Sequence, residues 1–329
     1  MNKLLTFITL LLLLVLFNSP KKYFLQDTVV SARQGKQIKR RNDYPKEWSW
    51  ARISIDNVKT FENATGVKIQ PGNYTSPVIN QHRSGWCGCC YLIAVIQMIE
   101  DRWNIEIGKL YKEQMHPFVK LDHQKMLNEY NYLRRKSQPS WNACQGGDPR
   151  KVIACLESGA CKIHISPRHG SNWVGHPQMK NNDGPTFTSA STTEFETLEN
   201  KSDLIKDNIM KKGPLVLGID AQCLIGADKN GVADDTIQKD RNHAVTVIGW
   251  TTCPNSKKEC WIVRNSWGVD NVPANLPSNI HCVDNEKNNC DEVTKPWIGN
   301  KKIPGMVLVP IDYIENKALG CKASSPWYS

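Results

Sequence analysis

At 329 residues, with 40% hydrophobic and 22% charged residues, the chain can bury a substantial core in one large or two modest domains and lies outside the range of disordered compositions. The formal net charge is +10, but apart from Lys36, Lys39, Arg40 and Arg41 the basic residues are scattered. With no zinc-finger spacing, no Gly-aromatic RNA signature and no long basic helix, a solvated basic surface is expected rather than a nucleic-acid partner.

In chain order, "MNKLLTFITLLLLLVLFNSPKK" carries Lys3 and a 14-residue apolar run from Leu4 to Phe17, short for a bilayer span. Residues 1–18 therefore read as a signal peptide, with an uncleaved anchor as the alternative and no stable membrane insertion expected after cleavage. Residues 19–45 are polar and basic and read as a short pro-segment, with "KQIKRRNDYP" open to processing proteases. Residues 46–329 are expected to form the folded domain, which begins at "EWSW" (Trp48, Trp50). Sequons at Asn63, Asn73 and Asn200 fit glycosylation in the secretory pathway. Twelve cysteines, from Cys87 to Cys321, suit disulfides formed in that oxidising route, towards a lysosome-like or extracellular destination.

The stretch 90–103, "CYLIAVIQMIEDRW", is apolar nearly all round in its first half and predicts a helix buried in a core. Residues 110–200 are mixed and turn-rich. Then "GPLVLGID" (213–220), "HAVTVIGW" (243–250), "CWIVRNSW" (260–267) and "GMVLVPI" (305–311) predict strands. "TTCPNSKKECW" predicts a hairpin with Cys253 and Cys260 bridging its two sides. A helix-rich first half and a strand-rich second half imply an α+β protein of two lobes with a cleft between them.

"NQHRSGWCGCCYLIA" (80–94) puts Cys87, Cys89 and Cys90 ahead of the buried helix. A zinc site needs a fourth ligand, and no second clear pair or close histidine follows, so no metal is expected. Pairing all three in disulfides would demand two close partners for adjacent cysteines. The remaining reading is chemical. A cysteine at a helix N-terminus feels the helix dipole and unpaired N–H groups, and a neighbouring histidine can lower its pKa to roughly 3–4 in the best cases. His243 opens one predicted strand and Asn265 ends the next, so nucleophile, base and orienting group would meet in one cleft.

"CGCCY", "NACQGG" (142–147), "NHAV" and "VRNSWG" resemble, in that order, the motifs of the papain-like cysteine proteases, and His243 lies 153 residues after Cys90. The resemblance covers residues 44–268. It implies a two-lobe fold with a helical left lobe and a β-barrel-like right lobe, no cofactor, and a monomer acting on peptide or protein substrates. Carried over residue by residue, Cys90 would be the nucleophile, His243 its base and then acid, and Asn265 the group holding the imidazole, covered by Trp267. Gln81 would complete the oxyanion hole, Gly146 and Gly147 would pair with substrate backbone, and Cys87 would bond to Cys144.

Gln81 lies nine residues before Cys90, three more than in most of the family. That insertion, flanked by Asn-Gln-His, resembles the cathepsin X (cathepsin Z) branch, in which the loop histidine holds the substrate's terminal carboxylate; His82 occupies that place. The implied function is a carboxypeptidase made as a zymogen. An endopeptidase with a displaced loop, or an inactive secreted binding protein of the same fold, are the alternatives. Departures from the family pattern are Cys89, Tyr91 and a polar insertion at 269–303, with Cys282 and Cys290 expected to staple it.

Overall fold

The computed structural model describes residues 44–82, 86–109, 119–166, 186–188, 193–199, 202–228, 230–237, 241–254, 256–268, 305–313 and 317–323, the strand residues 186–188, 193–199 and 317–323 by backbone only. The leader, residues 19–43, Asn200, and the 269–303 insertion with Cys282 and Cys290 lie outside the described residues.

Local chemistry accounts for the first elements. Helix α1 (Ile55–Thr65) starts at a reciprocal capping box, in which Ser54 Oγ accepts from the Asn57 N–H and Asn57 Oδ1 accepts from the Ser54 N–H. It stops at Gly66, whose left-handed φ of 72° suits a residue without a side chain. Its buried face carries Val58 and Phe61. Phe61 joins Trp48, Trp50 and Trp250 in an aromatic cluster with ring centroids 5.3–6.4 Å apart. Helix α3 (His123–Ser137) is capped by Asp122, and α4 (Pro149–Glu157) by Asp148 with proline in the first turn. Helices α5 (Ser202–Lys212) and α6 (Ala221–Ile225) flank the later strands.

The predicted strands form. Strands β5 (Leu215–Ile219), β6 (His243–Thr252), β7 (Glu259–Arg264) and β8 (Met306–Pro310) pair antiparallel in sequence order. Strand β9 (Lys317–Ala323) adds on the other side of β5, β4 (Thr193–Glu199) pairs with β9, and β1 (Trp48–Ser49) crosses β6. Strands β2 (Lys162–His164) and β3 (Thr186–Thr188) form a separate ladder. A barrel-like second lobe was the expectation; among the described residues the sheet instead stays open. Its order is β4-β9-β5-β6-β7-β8, and closure would need β4 and β8 to pair with each other. The β6–β7 hairpin is bridged by Cys253–Cys260, both buried.

Helix α2 (Cys90–Gly108) is the axis of the core, and Thr246 Oγ1 on β6 donates to its Ala94 carbonyl at 3.4 Å. Its apolar first half accounts for its burial, but the charged residues that follow are buried too. Arg264 on β7 donates to Asp101 at 2.6 Å, and Asp101 Oδ1 also accepts from the Ser76 N–H at 2.7 Å. Arg102 donates to the Pro214 and Gly213 carbonyls and to Asn208 Oδ1. Each charge is matched by fixed partners, which is the condition for placing it in a core.

Glu100 accepts from the Leu121 N–H at 3.0 Å, and His123 Nε2 lies 3.8 Å away. Burial pushes the Glu100 carboxyl from 4.5 up to about 8 and pulls His123 from 6.5 down to about 3, so both are held neutral. Between pH 4.5 and about 8 the folded state keeps a proton on Glu100 that the unfolded chain releases, so this group costs stability as pH rises. His123 acts in the opposite sense as pH falls from 6.5 towards 3. Glu100→Gln, which mimics the protonated acid, is expected to gain Tm over the parent progressively from pH 5 to pH 8. Parallel Tm curves for the two proteins would contradict that assignment.

Candidate active site

Two chain segments meet at the N-terminus of α2. Residues 79–81 run beside residues 266–268, with Gln81 N–H donating to the Ser266 carbonyl at 2.9 Å and Gly268 N–H to the Ile79 carbonyl at 3.0 Å. This pairing places Gln81 next to the turn that follows β7. Gln81 is buried with its amide fixed at both ends: Ser266 Oγ donates to Oε1 at 2.5 Å, and Nε2 donates to the Cys87 carbonyl at 2.7 Å. The amide nitrogen carries a second N–H besides the one given to the Cys87 carbonyl.

His243 opens β6 and Asn265 follows β7, neighbouring strands of the sheet. Asn265 Oδ1 accepts from the Ser266 N–H at 2.8 Å and lies 2.8 Å from His243 Nε2. An accepting oxygen there puts the imidazole proton on Nε2 and leaves Nδ1 as the basic nitrogen. The Trp267 ring stacks on His243 at 4.9 Å and an interplanar angle of 30°, shielding that bond from water.

Cys90 is the first residue of α2 and only 8% exposed. Its thiol lies at the backbone N–H groups of Tyr91, of Cys90 itself and of Ala244, the residue after His243. The first-turn N–H groups have no partner within the helix. They hold the thiol pKa down, while burial, the larger effect, pushes it up. Burial likewise pulls His243 down to about 4, with the Asn265 hydrogen bond working against it and His82 adding to it. Each group alone is thus favoured as neutral. Cys89 is also buried, and burial followed by the Cys90 charge pushes its thiol up to about 12. Of the adjacent thiols, it is the Cys90 thiol whose pKa a backbone N–H of strand β6, that of Ala244, holds down.

The other wall is tied to the same helix end. Cys87 is disulfide-bonded to Cys144, Gly88 N–H donates to the Cys144 carbonyl at 2.7 Å, and Tyr91 Oη donates to the Ala143 carbonyl at 3.2 Å. Gly146 follows the 3-10 turn Ala143–Gln145 with a φ of +97°, a conformation that excludes most side chains. Gly147 is required for another reason: a Cβ there would sit 2.6 Å from the Tyr91 ring. Tyr91 therefore supports the glycine edge from below, and Tyr130 packs on it in turn at 6.1 Å.

His82 is half-buried, and its Nδ1 accepts from the Cys87 N–H at 3.2 Å, which leaves Nε2 as the donor. Burial lowers its pKa. The other residues singled out from the sequence lie apart from this cluster. Asn63 is exposed on α1, whereas Asn73 is half-buried with Oδ1 accepting from the Thr75 N–H and hydroxyl. A third disulfide joins Cys155 to Cys161, and Cys223 is a buried free thiol. Ser266 and Ala244, which position Gln81 and Cys90, were not singled out from the sequence; only their place inside "RNSWG" and "NHAV" signalled them.

A family model described as "Papain family cysteine protease" matches residues 68–292, more than half of the chain. The chain belongs to the papain family of cysteine proteases. Among similar papain-family proteins, cathepsin Z of Onchocerca volvulus is 23% identical over 72% of this chain and 75% of its own length. Cysteine proteinase 3 of Entamoeba histolytica is 25% identical over 66% of this chain, and mouse cathepsin S is 26% identical over 63% of it. The matches span 63% and 55% of the lengths of those two relatives. Bromelain from Ananas comosus and procathepsin L2 from Tenebrio molitor share the fold, each at 17% identity over 85% of this chain, with TM-scores of 0.50 and 0.51.

Proposed function

We propose that the protein is a cysteine peptidase that acts as a carboxypeptidase through Cys90, His243 and Asn265. The observation that carries the reading is the Asn265-held, Trp267-covered imidazole at the start of the strand whose next N–H meets the Cys90 thiol. Cys90 sulfur passes its proton to His243 Nδ1 and attacks the scissile carbonyl. The oxyanion that forms is held by the Cys90 N–H and the second N–H of Gln81, donors aimed where charge develops only in the tetrahedral state. The imidazolium gives its proton to the departing amine, leaving a thioester on Cys90. Water, deprotonated by the same imidazole, then releases the acyl product and restores the thiol.

His82 supports the terminal specificity. Its neutral Nε2–H tautomer, set by the Cys87 N–H, can donate to a substrate's terminal carboxylate. Gly146 and Gly147 offer an edge free of side chains to the substrate backbone. The three described disulfides fit a secretory route to a lysosome-like or extracellular site. Zymogen processing fits a cut upstream of Tyr44, because Tyr44 stacks edge-on to Trp250 and the Pro45 carbonyl accepts from the Trp250 Nε1–H.

Mass spectrometry of one peptide, supplied with a free or an amidated C-terminus, tests the specificity. Loss of single residues only from the free acid is expected. His82→Ala is expected to weaken that reaction by roughly ten- to a hundredfold, the scale of a lost charge-assisted hydrogen bond. Cleavage of both peptides at internal bonds would establish an endopeptidase instead.

A further inference from the structure

Trp48, Trp50, Trp103, Trp250 and Trp261 are fully buried, but Trp86 is 69% exposed. A lone exposed apolar side chain is ordinary on a protein surface; the placement of this one is not. Trp86 immediately precedes Cys87, whose position is fixed three ways. Its N–H donates to His82, its carbonyl accepts from Gln81, and its sulfur is bonded to Cys144. The indole is thus presented from anchored backbone. A Cβ built on Gly88 would lie 3.2 Å from Trp86 Cη2, 3.1 Å from the Gly146 nitrogen and 2.8 Å from the Cys144 carbonyl. The edge of the indole, Gly88 and the start of the glycine edge therefore share one patch, two residues before Cys90.

We propose that Trp86 forms one wall of the pocket for the side chain of the residue that contributes the scissile carbonyl, and selects aromatic side chains there. The proposal rests on Cys90 being the nucleophile. With the carbonyl carbon at Cys90 and its oxygen on the Cys90 and Gln81 N–H groups, the acyl part of the substrate runs towards Gly146 and Gly147. The leaving residue runs the other way, towards His82. The first side chain on the acyl part thus passes the Gly88–Gly146 neck, which the edge of the Trp86 indole lines. An aromatic side chain there removes apolar area from water on both partners and gains ring-to-ring contact.

The test uses two peptide series, one varying the acyl-side residue between phenylalanine and alanine, the other varying the leaving residue in the same way. For the parent protein, Trp86→Ala and Trp86→Phe, kcat/KM is measured for each peptide. Binding of the same peptides is measured on Cys90→Ala protein with and without Trp86→Ala. The acyl-side preference for phenylalanine is expected to fall roughly three- to tenfold in Trp86→Ala, in kcat/KM and in binding alike, and to recover largely in Trp86→Phe. An unchanged preference, or a Trp86 effect confined to the leaving residue, would overturn the proposal. Binding selectivity that depends on Trp86 in a protein that hydrolyses nothing would uphold this pocket and overturn the reading of Cys90.

Discussion

Cys90→Ala is expected to remove peptide hydrolysis by a factor on the order of 10^6 while leaving Tm within a few degrees of the parent. Nucleophile and base act as one unit, so His243→Ala should cost nearly as much, and the double variant little more than either single one. The reason lies in the geometry. Without sulfur at the helix N-terminus no thioester forms, and without the Asn265-held imidazole neither the thiol proton nor the leaving amine is served. Cys90 is a small buried group, and its replacement by alanine leaves the Cys87–Cys144 tie and the Gln81 contacts in place. Losses from the two single variants that multiplied in the double would show that the residues act independently, contrary to this mechanism.

Asp101→Ala is expected to destabilise the protein by roughly 3–5 kcal/mol, the range for removing one partner of a buried ion pair. On a domain of this size that is a fall in Tm on the order of 10 °C. Arg264 would be left charged in the core, and the Ser76 N–H and hydroxyl would lose their acceptor. Activity should fall as well, since Arg264 directly precedes Asn265 and its pairing with α2 fixes where that side chain emerges. Replacing both partners by apolar residues, as Asp101→Leu with Arg264→Met, should recover part of the loss, because no uncompensated charge is then buried. Calorimetry on the single and double variants checks this; additive losses would contradict it.

Much of this arrangement is legible in the sequence, and for physical reasons. An apolar run of this length after a cysteine cluster favours a buried helix, and short β-branched runs between turn signals favour strands, so α2 and β5–β8 follow from pattern. The hairpin cysteines Cys253 and Cys260 follow from a loop too short to leave them far apart. What the sequence hid are features set by three-dimensional pairing. Glu100, Asp101 and Arg102 bring charge to the end of a helix whose pattern otherwise predicts burial, and the partners that satisfy them, up to 163 positions away, are not signalled by local sequence. The open sheet could not be told from a closed one, because strand patterns do not reveal which edges pair. Tyr91 looked like a bare departure from the family pattern, yet its ring fills the space that Gly147 leaves and its hydroxyl finds the Ala143 carbonyl. Which of Cys89 and Cys90 carries the chemistry also depends on the approach of strand β6, which local sequence does not show.

The most direct measurement is the intact mass of the protein quenched during turnover of a slow ester substrate, followed by mapping of the modified residue. An adduct of the acyl group's mass is expected on Cys90, absent from Cys90→Ala and present in His243→Ala only to the extent that residual attack occurs. An adduct on Cys89, or substrate consumed with no acyl group on Cys90, would contradict it.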